Sequence, residues 1–306
     1  MRNMPEDGLP STPSAAKQRD MANRPDDDAP APFTRREFLV TALATGFAAA
    51  VRPSPAQAVV TTDKQGIFAD PIRIPAPGRT IPGYRALPAR RKKPPIIVVV
   101  EEIFGVHEHI QDICRRFAKE GYFAIAPELF ARQGDPTKLT DPKAIVDTIV
   151  SKAPDAQVMR DLDAAIAFGA KADADPTKVG ITGFCWGGRI TWLYAAQQPK
   201  VKAGVAWYGR LDGQRNDLQP EYPIDVAAEL KAPVLGLYGG KDDGIPQDQV
   251  LRMQAALKTA GGTSEIHVYP NAPHAFHADY RPSYREQEAK DGWARALAWF
   301  RKHGVA

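Results

Sequence analysis

Apolar positions along the chain change rhythm repeatedly, and each change marks a boundary between a strand and a helix. From Ile81 onward, short apolar runs alternate with stretches of helical periodicity, the pattern of a parallel sheet covered on both faces. Residues 96–100 form an unbroken, largely β-branched run, as a strand buried on both sides requires. Ile110, Ile113, Cys114, Phe117 and Ala118 then recur at three and four, while Asp112, Arg115, Arg116 and Lys119 fall opposite. That spacing predicts an amphipathic helix. Further strands are expected over 123–126, 179–182, 203–208, 234–238 and 265–269. Helices are expected over 156–170, 189–198, 247–259 and about 284–303. With no internal repeat and no second linker, residues 59–306 are expected to make one doubly wound α/β domain, with a mostly parallel sheet and helices on both faces.

Residues 1–58 follow another pattern. The first 32 are rich in Pro, Asp, Ser and Ala and nearly free of large apolar side chains, which leaves too little to bury for a fold. Arg35-Arg36 then precedes an apolar stretch over 38–51, closed by the small-x-small sequence Ala56-Gln57-Ala58. The apolar stretch is shorter than the roughly 20 residues a spanning helix needs. A basic start, a short apolar centre and a small-residue end predict a signal peptide removed near Ala58. The arginine pair ahead of Phe38-Leu39 resembles a twin-arginine export signal. An ordinary secretory signal or a retained anchor are the alternatives. The expected partner is the twin-arginine export machinery, met through Arg35 and Arg36, with only transient membrane contact. The expected destination is the periplasm or the extracellular space.

Composition narrows the function. Hydrophobic residues at 43% and charged residues at 25% are ordinary globular usage, which excludes a fibrous or disordered protein for most of the length. The net charge of +4 is scattered rather than gathered in a basic stripe, so no nucleic-acid partner is expected. Cys114 and Cys185, the only cysteines, cannot build a disulfide framework or a four-cysteine zinc site. Cys114 lies on the apolar stripe of its helix and is expected to be structural. No Cys-x-x-Cys appears and no dinucleotide G-x-G-x-x-G follows a strand, so no cofactor or metal is expected. Two other classes remain as alternatives. One is an exported metal or redox protein using His107-Glu108-His109 and His274-x-x-His277, although two residues spaced i,i+2 point apart on a helix. The other is a binding protein of the same fold without turnover.

The chemistry concentrates in three places. Gly183-Phe184-Cys185-Trp186-Gly187-Gly188 joins an expected strand to an expected helix. In α/β hydrolases such a turn holds a nucleophile in a strained conformation, with glycines where side chains would clash. A helix beginning just after it would aim amides and the positive dipole end at the nucleophile. Here that residue is Cys185, and a thiolate needs less help from a base than a hydroxyl does. Asp242 and Asp243 follow the strand over 234–238, and His274 follows the strand over 265–269. Nucleophile, acid and histidine thus occur in the order of an α/β-hydrolase triad. Asp242 is the expected acid, with Asp243 as the alternative, because adjacent carboxylates are not separable without geometry.

These segments resemble the dienelactone hydrolases (carboxymethylenebutenolidases) over nearly all of 59–306. The most specific stretch is Val98-Val99-Val100-Glu101-Glu102-Ile103-Phe104-Gly105-Val106, joined by Gly183–Gly188, Gly240-Lys241-Asp242 and His274-Ala275-Phe276. The resemblance implies an α/β-hydrolase fold and a thiol-dependent hydrolase of small-molecule esters or enol-lactones. It would work through an acyl-enzyme, with Cys185 as nucleophile, Asp242 as acid and His274 as base. It also implies that Glu102 contacts the resting thiol and that the backbone amides of Ile103 and Trp186 form the oxyanion hole. A carboxylate beside Cys185 would favour the neutral thiol by like-charge repulsion; read without the Ile-Phe-Gly that follows, Glu101 and Glu102 would equally suit a solvated strand end. Phe104, Trp207, Tyr208 and Phe276 are candidates to line the substrate pocket, or else simply pack the core. The family's substrate-gripping arginine four residues after the histidine is replaced by Ala278, leaving Arg281 as the nearby candidate.

Overall fold

The structure is a computed structural model and describes residues 60–306. The export-signal reading of residues 1–58 lies outside the described residues. Eight strands form one sheet: β1 (Ile67–Ala76), β2 (Arg79–Pro88), β3 (Pro95–Val100), β4 (Phe123–Pro127), β5 (Asp175–Phe184), β6 (Val201–Trp207), β7 (Val234–Gly239) and β8 (Glu265–Tyr269). Their order is β1-β2-β4-β3-β5-β6-β7-β8. The pairs from β4 to β8 are parallel, while β1 pairs β2 and β2 pairs β4 in antiparallel fashion. The helices are α1 (Glu108–Lys119), α2 (Pro142–Thr148), α3 (Asp155–Lys171), α4 (Trp186–Gln197), α5 (Gln247–Ala260) and α6 (Glu286–Lys302).

The expected mostly parallel sheet is present, with an added antiparallel hairpin at one edge. Periodicity did not single out β1 and β2, because Pro71, Pro75 and Pro82 interrupt their alternation. Pro71 and Pro75 are tolerated because β1 is an edge strand and needs no ladder hydrogen bond on its outer side, and Pro82 in β2 precedes that strand's register with β4, which starts at Gly83. The central strand behaves as its composition requires: every side chain from Ile96 to Val100 is fully buried. Helix α1 buries Ile110, Ile113, Cys114, Phe117 and Ala118 along its predicted stripe.

Strand β3 lies between β4 and β5, so the order of winding reverses there. In an open parallel sheet, the crevice at the carboxyl ends of such strands is where ligands bind. The chain leaves β3 into Glu101-Glu102-Ile103 and leaves β5 into Cys185. Val100 pairs with Gly183, so these two exits are side by side.

Candidate active site

The elbow is built by close backbone packing. Cys185 adopts φ +57° and ψ −113°, a costly conformation for a residue with a Cβ. A Cβ on Gly183 would lie 2.1 Å from the carbonyl oxygen of Gly187, and one on Gly187 would lie 2.5 Å from that of Val100. Both positions therefore exclude a side chain. Helix α4 starts at Trp186, three residues before its apolar periodicity becomes visible, with Cys185 as its N-cap. The amide of Cys185 donates to the carbonyl of Trp207 at 3.0 Å, fastening the turn to β6. One turn into α4, buried Arg189 makes a two-pronged contact with Asp155 at 2.8 and 2.6 Å, which ties the helix to the start of α3.

The acid and histidine loops are laced together. Gly240 N donates to the carbonyl of Tyr269 at 2.7 Å, and Lys241 N to that of Ala272 at 3.0 Å. A Cβ on Gly239 would stand 2.3 Å from the Ala272 oxygen, which explains the paired glycines before Lys241. Asp242 Oδ2 lies 2.7 Å from His274 Nδ1, and its Oδ1 accepts from the amides of Gly244 and Ile245 at 2.9 and 3.1 Å. Asp243 is exposed. The geometry therefore separates the two carboxylates, and Asp242 is the one that meets the histidine. Burial opposes charge on His274, but Asp242 and Cys185 outweigh it and raise its pKa to about 10. Charge on the imidazole is thus favoured by Asp242 and Cys185 together, against the cost of burial.

Glu101 and Glu102 are both fully buried, not a solvated strand end. Glu101 Oε1 accepts from Leu129 N at 2.9 Å, and burial with nearby Glu128 pushes its pKa well up. Glu102 meets a different set of groups from those the sequence suggested. Its Oε2 accepts from Tyr280 Oη at 2.6 Å and lies 3.2 Å from His107 Nε2, and its Oε1 is 3.8 Å from Arg281 Nη2. These are its partners among the described residues, rather than the sulfur of Cys185. Burial alone would raise the carboxyl pKa, but Arg281 and His107 overcome it and hold Glu102 ionised well below the usual range. Arg281 is itself fully buried, donates to Tyr280 Oη at 2.7 Å, and lies 4.8 Å above the Phe104 ring. Tyr280 and His107 were not anticipated in these roles. Tyr280 carries no periodicity signal, and it reaches Glu102 only because the segment after His274 folds back across the end of β3.

The aromatic candidates divide by position. Phe104 is half-buried beside His107 and Arg281. Trp186 packs on Phe130, with ring centroids 4.6 Å apart. Trp207 donates from its indole to Thr182 Oγ1 and packs on Phe184 and His277, placing its ring within the core. Phe276 and Tyr208 are buried beside one another, with Tyr208 edge-on to His274 at 5.2 Å. Ile103 follows Glu102 at the end of β3, where a Cβ on Gly187 would lie 2.6 Å from the Glu101 oxygen, so the Ile103 and Trp186 segments meet.

The histidines of the alternative metal reading sit differently from the expectation. His107 caps α1 from outside in an extended conformation, so the helical i,i+2 argument does not apply. Its ring stacks 6.1 Å from that of His109. Each of the two is committed to a carboxylate, His107 to Glu102 and His109 to Asp279. Among the described residues no three ligand-type side chains converge as a metal site would need.

A model of the family described as "Dienelactone hydrolase family" matches residues 81–304. A candidate carboxymethylenebutenolidase of Methylorubrum extorquens is 60% identical over 275 residues, spanning 90% of this chain and 94% of that protein. A protein of the same description from Escherichia coli K12 is 50% identical over 267 residues, spanning 87% of this chain and 98% of its own. The crystal structure of a candidate dienelactone hydrolase from Klebsiella pneumoniae superposes with a TM-score of 0.76 at 56% identity, covering 77% of this chain and 99% of that one. The chain therefore belongs to the dienelactone hydrolase family and is a hydrolase of the lactone- and ester-cleaving class.

Proposed function

We propose that the protein hydrolyses small-molecule esters or enol-lactones through Cys185, His274 and Asp242, by way of a thioester acyl-enzyme. The observation that carries this reading is the 2.7 Å contact between Asp242 and His274, whose imidazole is held protonated beside a cysteine in a strained elbow. The sulfur adds to the scissile carbonyl carbon, and the developing oxyanion is met by the amides of Ile103 and Trp186. Collapse breaks the bond to the leaving oxygen, which takes the proton from His274. His274 then removes a proton from water as that water adds to the thioester carbonyl. The second collapse breaks the C–S bond and releases the carboxylic acid, which gives up its proton to solvent, and the sulfur and His274 return to their starting forms. Asp242 fixes the imidazole orientation throughout. The test is 4-nitrophenyl acetate hydrolysis with mass spectrometry of the quenched enzyme. An acetyl adduct on Cys185 and no turnover by Cys185→Ala are expected; near-normal turnover by that variant ends the reading.

We infer also that the chain is exported to the periplasm by the twin-arginine route. The support is Arg35-Arg36 ahead of a weakly apolar, alanine-rich stretch closing at Ala58. Arg35→Lys with Arg36→Lys is expected to leave a folded, active enzyme in the cytoplasm. Unchanged export of the double variant would point to the general secretory route instead.

A further inference from the structure

Tyr208 follows the last residue of β6 and turns the chain with φ +38°, a left-handed conformation unfavourable for a bulky side chain. Strand β7 holds the bend, because Tyr208 N donates to the Leu237 carbonyl at 2.8 Å. The next residue, Gly209, crosses the start of α4 so closely that a Cβ there would lie 2.3 Å from the carbonyl carbon of Gly188. The bend thus delivers the chain over the nucleophile helix and turns the Tyr208 side chain inward. That side chain is fully buried, with its ring edge-on to His274 at 5.2 Å and to Phe276 at 5.3 Å. Its hydroxyl stands in the field of Glu102, Tyr280, Arg281 and Cys185, yet has no hydrogen-bond partner among the described residues. Tyr280 supplies the contrast. Set among the same charges, it donates to Glu102 at 2.6 Å and accepts from Arg281 at 2.7 Å. Buried hydroxyls nearly always find a partner, because leaving one unpaired is costly. A strained backbone and an unpaired buried donor at one residue, beside the reactive sulfur, mark a group held ready for a ligand.

We propose that Tyr208 is a specificity-determining residue whose hydroxyl donates a hydrogen bond to an acceptor oxygen carried by the substrate close to the scissile carbonyl. The inference rests on the hydrolase reading above. Burial and the surrounding anions keep the phenol protonated, so at neutral pH it serves as a donor. The favoured substrates are esters or lactones bearing an ether, oxo or hydroxyl oxygen next to the reacting group. A plain alkyl acyl chain would leave the hydroxyl unpaired, and sites built around a polar contact discriminate strongly against analogues that lack it.

The test compares 4-nitrophenyl methoxyacetate with 4-nitrophenyl butyrate, which differ by one oxygen for one methylene at nearly constant shape and share a leaving group. The ratio of their kcat/KM values is divided by the ratio of their alkaline hydrolysis rates, which removes intrinsic reactivity. The wild-type enzyme is expected to favour the methoxyacetyl ester about tenfold or more after this correction. Tyr208→Phe, checked for folding by its melting transition, should bring the corrected ratio close to one. A corrected ratio near one in the wild type overturns the proposal, whether or not the variant folds. So does a preference that survives in folded Tyr208→Phe. If neither ester shows Cys185-dependent turnover, the hydrolase reading fails and this proposal fails with it, an outcome distinct from equal turnover of both esters.

Discussion

Two neighbouring carboxylates that look alike in the sequence meet very different surroundings. Asp242 is buried against His274 and held by two backbone amides, while Asp243 points to solvent. Asp242→Asn is therefore expected to lower 4-nitrophenyl acetate turnover by on the order of two to four decades, the effect of losing the carboxylate that orients a catalytic imidazole. Asp243→Asn should stay within about twofold, as surface changes usually do. Comparable losses in both variants would contradict the pairing. Glu102 offers a second test at this scale. Its charge is balanced chiefly by Arg281, whose field also reaches Cys185. Glu102→Gln leaves an oxygen to accept from Tyr280 but removes the negative charge set against Arg281, which shifts the local field toward favouring an anion nearby. Iodoacetamide should then alkylate Cys185 several-fold faster at pH 6, measured as second-order rates in the presence and absence of substrate. An unchanged rate would mean that the charge of Glu102 does not reach the sulfur.

At the scale of elements, the turn between β5 and α4 is where packing leaves no freedom. A Cβ at Gly187 would press on the backbone oxygens of both Val100 and Glu101, at 2.5 and 2.6 Å. Backbone atoms of a central strand cannot yield as a flexible side chain would. Gly187→Ala should therefore cost at least the roughly 1–3 kcal/mol typical of overpacking and disable the elbow with it. Gly262→Ala, where the added methyl meets nothing within 4 Å, is the matched control and should leave both melting temperature and turnover nearly unchanged. Equal melting temperatures for the two variants would refute this account of the turn. The same element shows why helix α4 starts earlier than apolar spacing suggests. Trp186, Gly187 and Gly188 belong to the helix but sit against β3 and the chain after β6, so glycine replaces the apolar stripe there.

For the molecule as a whole, buried Glu101, Glu128 and His274 are all shifted toward holding protons that the unfolded chain would release at neutral pH. Burial raises Glu128 to about 7, and Asp242 and Cys185 outweigh burial to raise His274 to about 10. Both folded-state values lie above the ordinary ones. Stability therefore falls as pH rises, between about 4.5 and 7 for Glu128 and between about 6.5 and 10 for His274. Glu102, held well below the ordinary range, acts oppositely and withdraws stability only on acidification below about pH 4.5. Melting temperature is thus expected to decline steadily from pH 6 to pH 10. The decline above pH 7 should be shallower in Cys185→Ala, which removes one of the two groups that hold the imidazole proton. A melting temperature that rises across this range would overturn the assignment.

The amino-acid sequence by itself determined the alternation of strands and helices, the buried stripe of α1, and the chain order of Cys185, Asp242 and His274. These are local properties, because side-chain periodicity and turn chemistry depend on neighbours a few residues away. The proline-broken hairpin of β1 and β2 escaped the same reading, since its strand character comes from an edge position in the sheet rather than from its own pattern. Tertiary structure alone decided that Asp242 rather than Asp243 faces the histidine. It also decided that Glu102 is captured by Tyr280, 178 residues along the chain, and that His107 lies outside the helix that would have turned it from His109. Such contacts depend on which distant segments the sheet order brings to one crevice. No local spacing encodes that outcome, because it is set by the packing of whole elements and by the need of each buried charge for a partner.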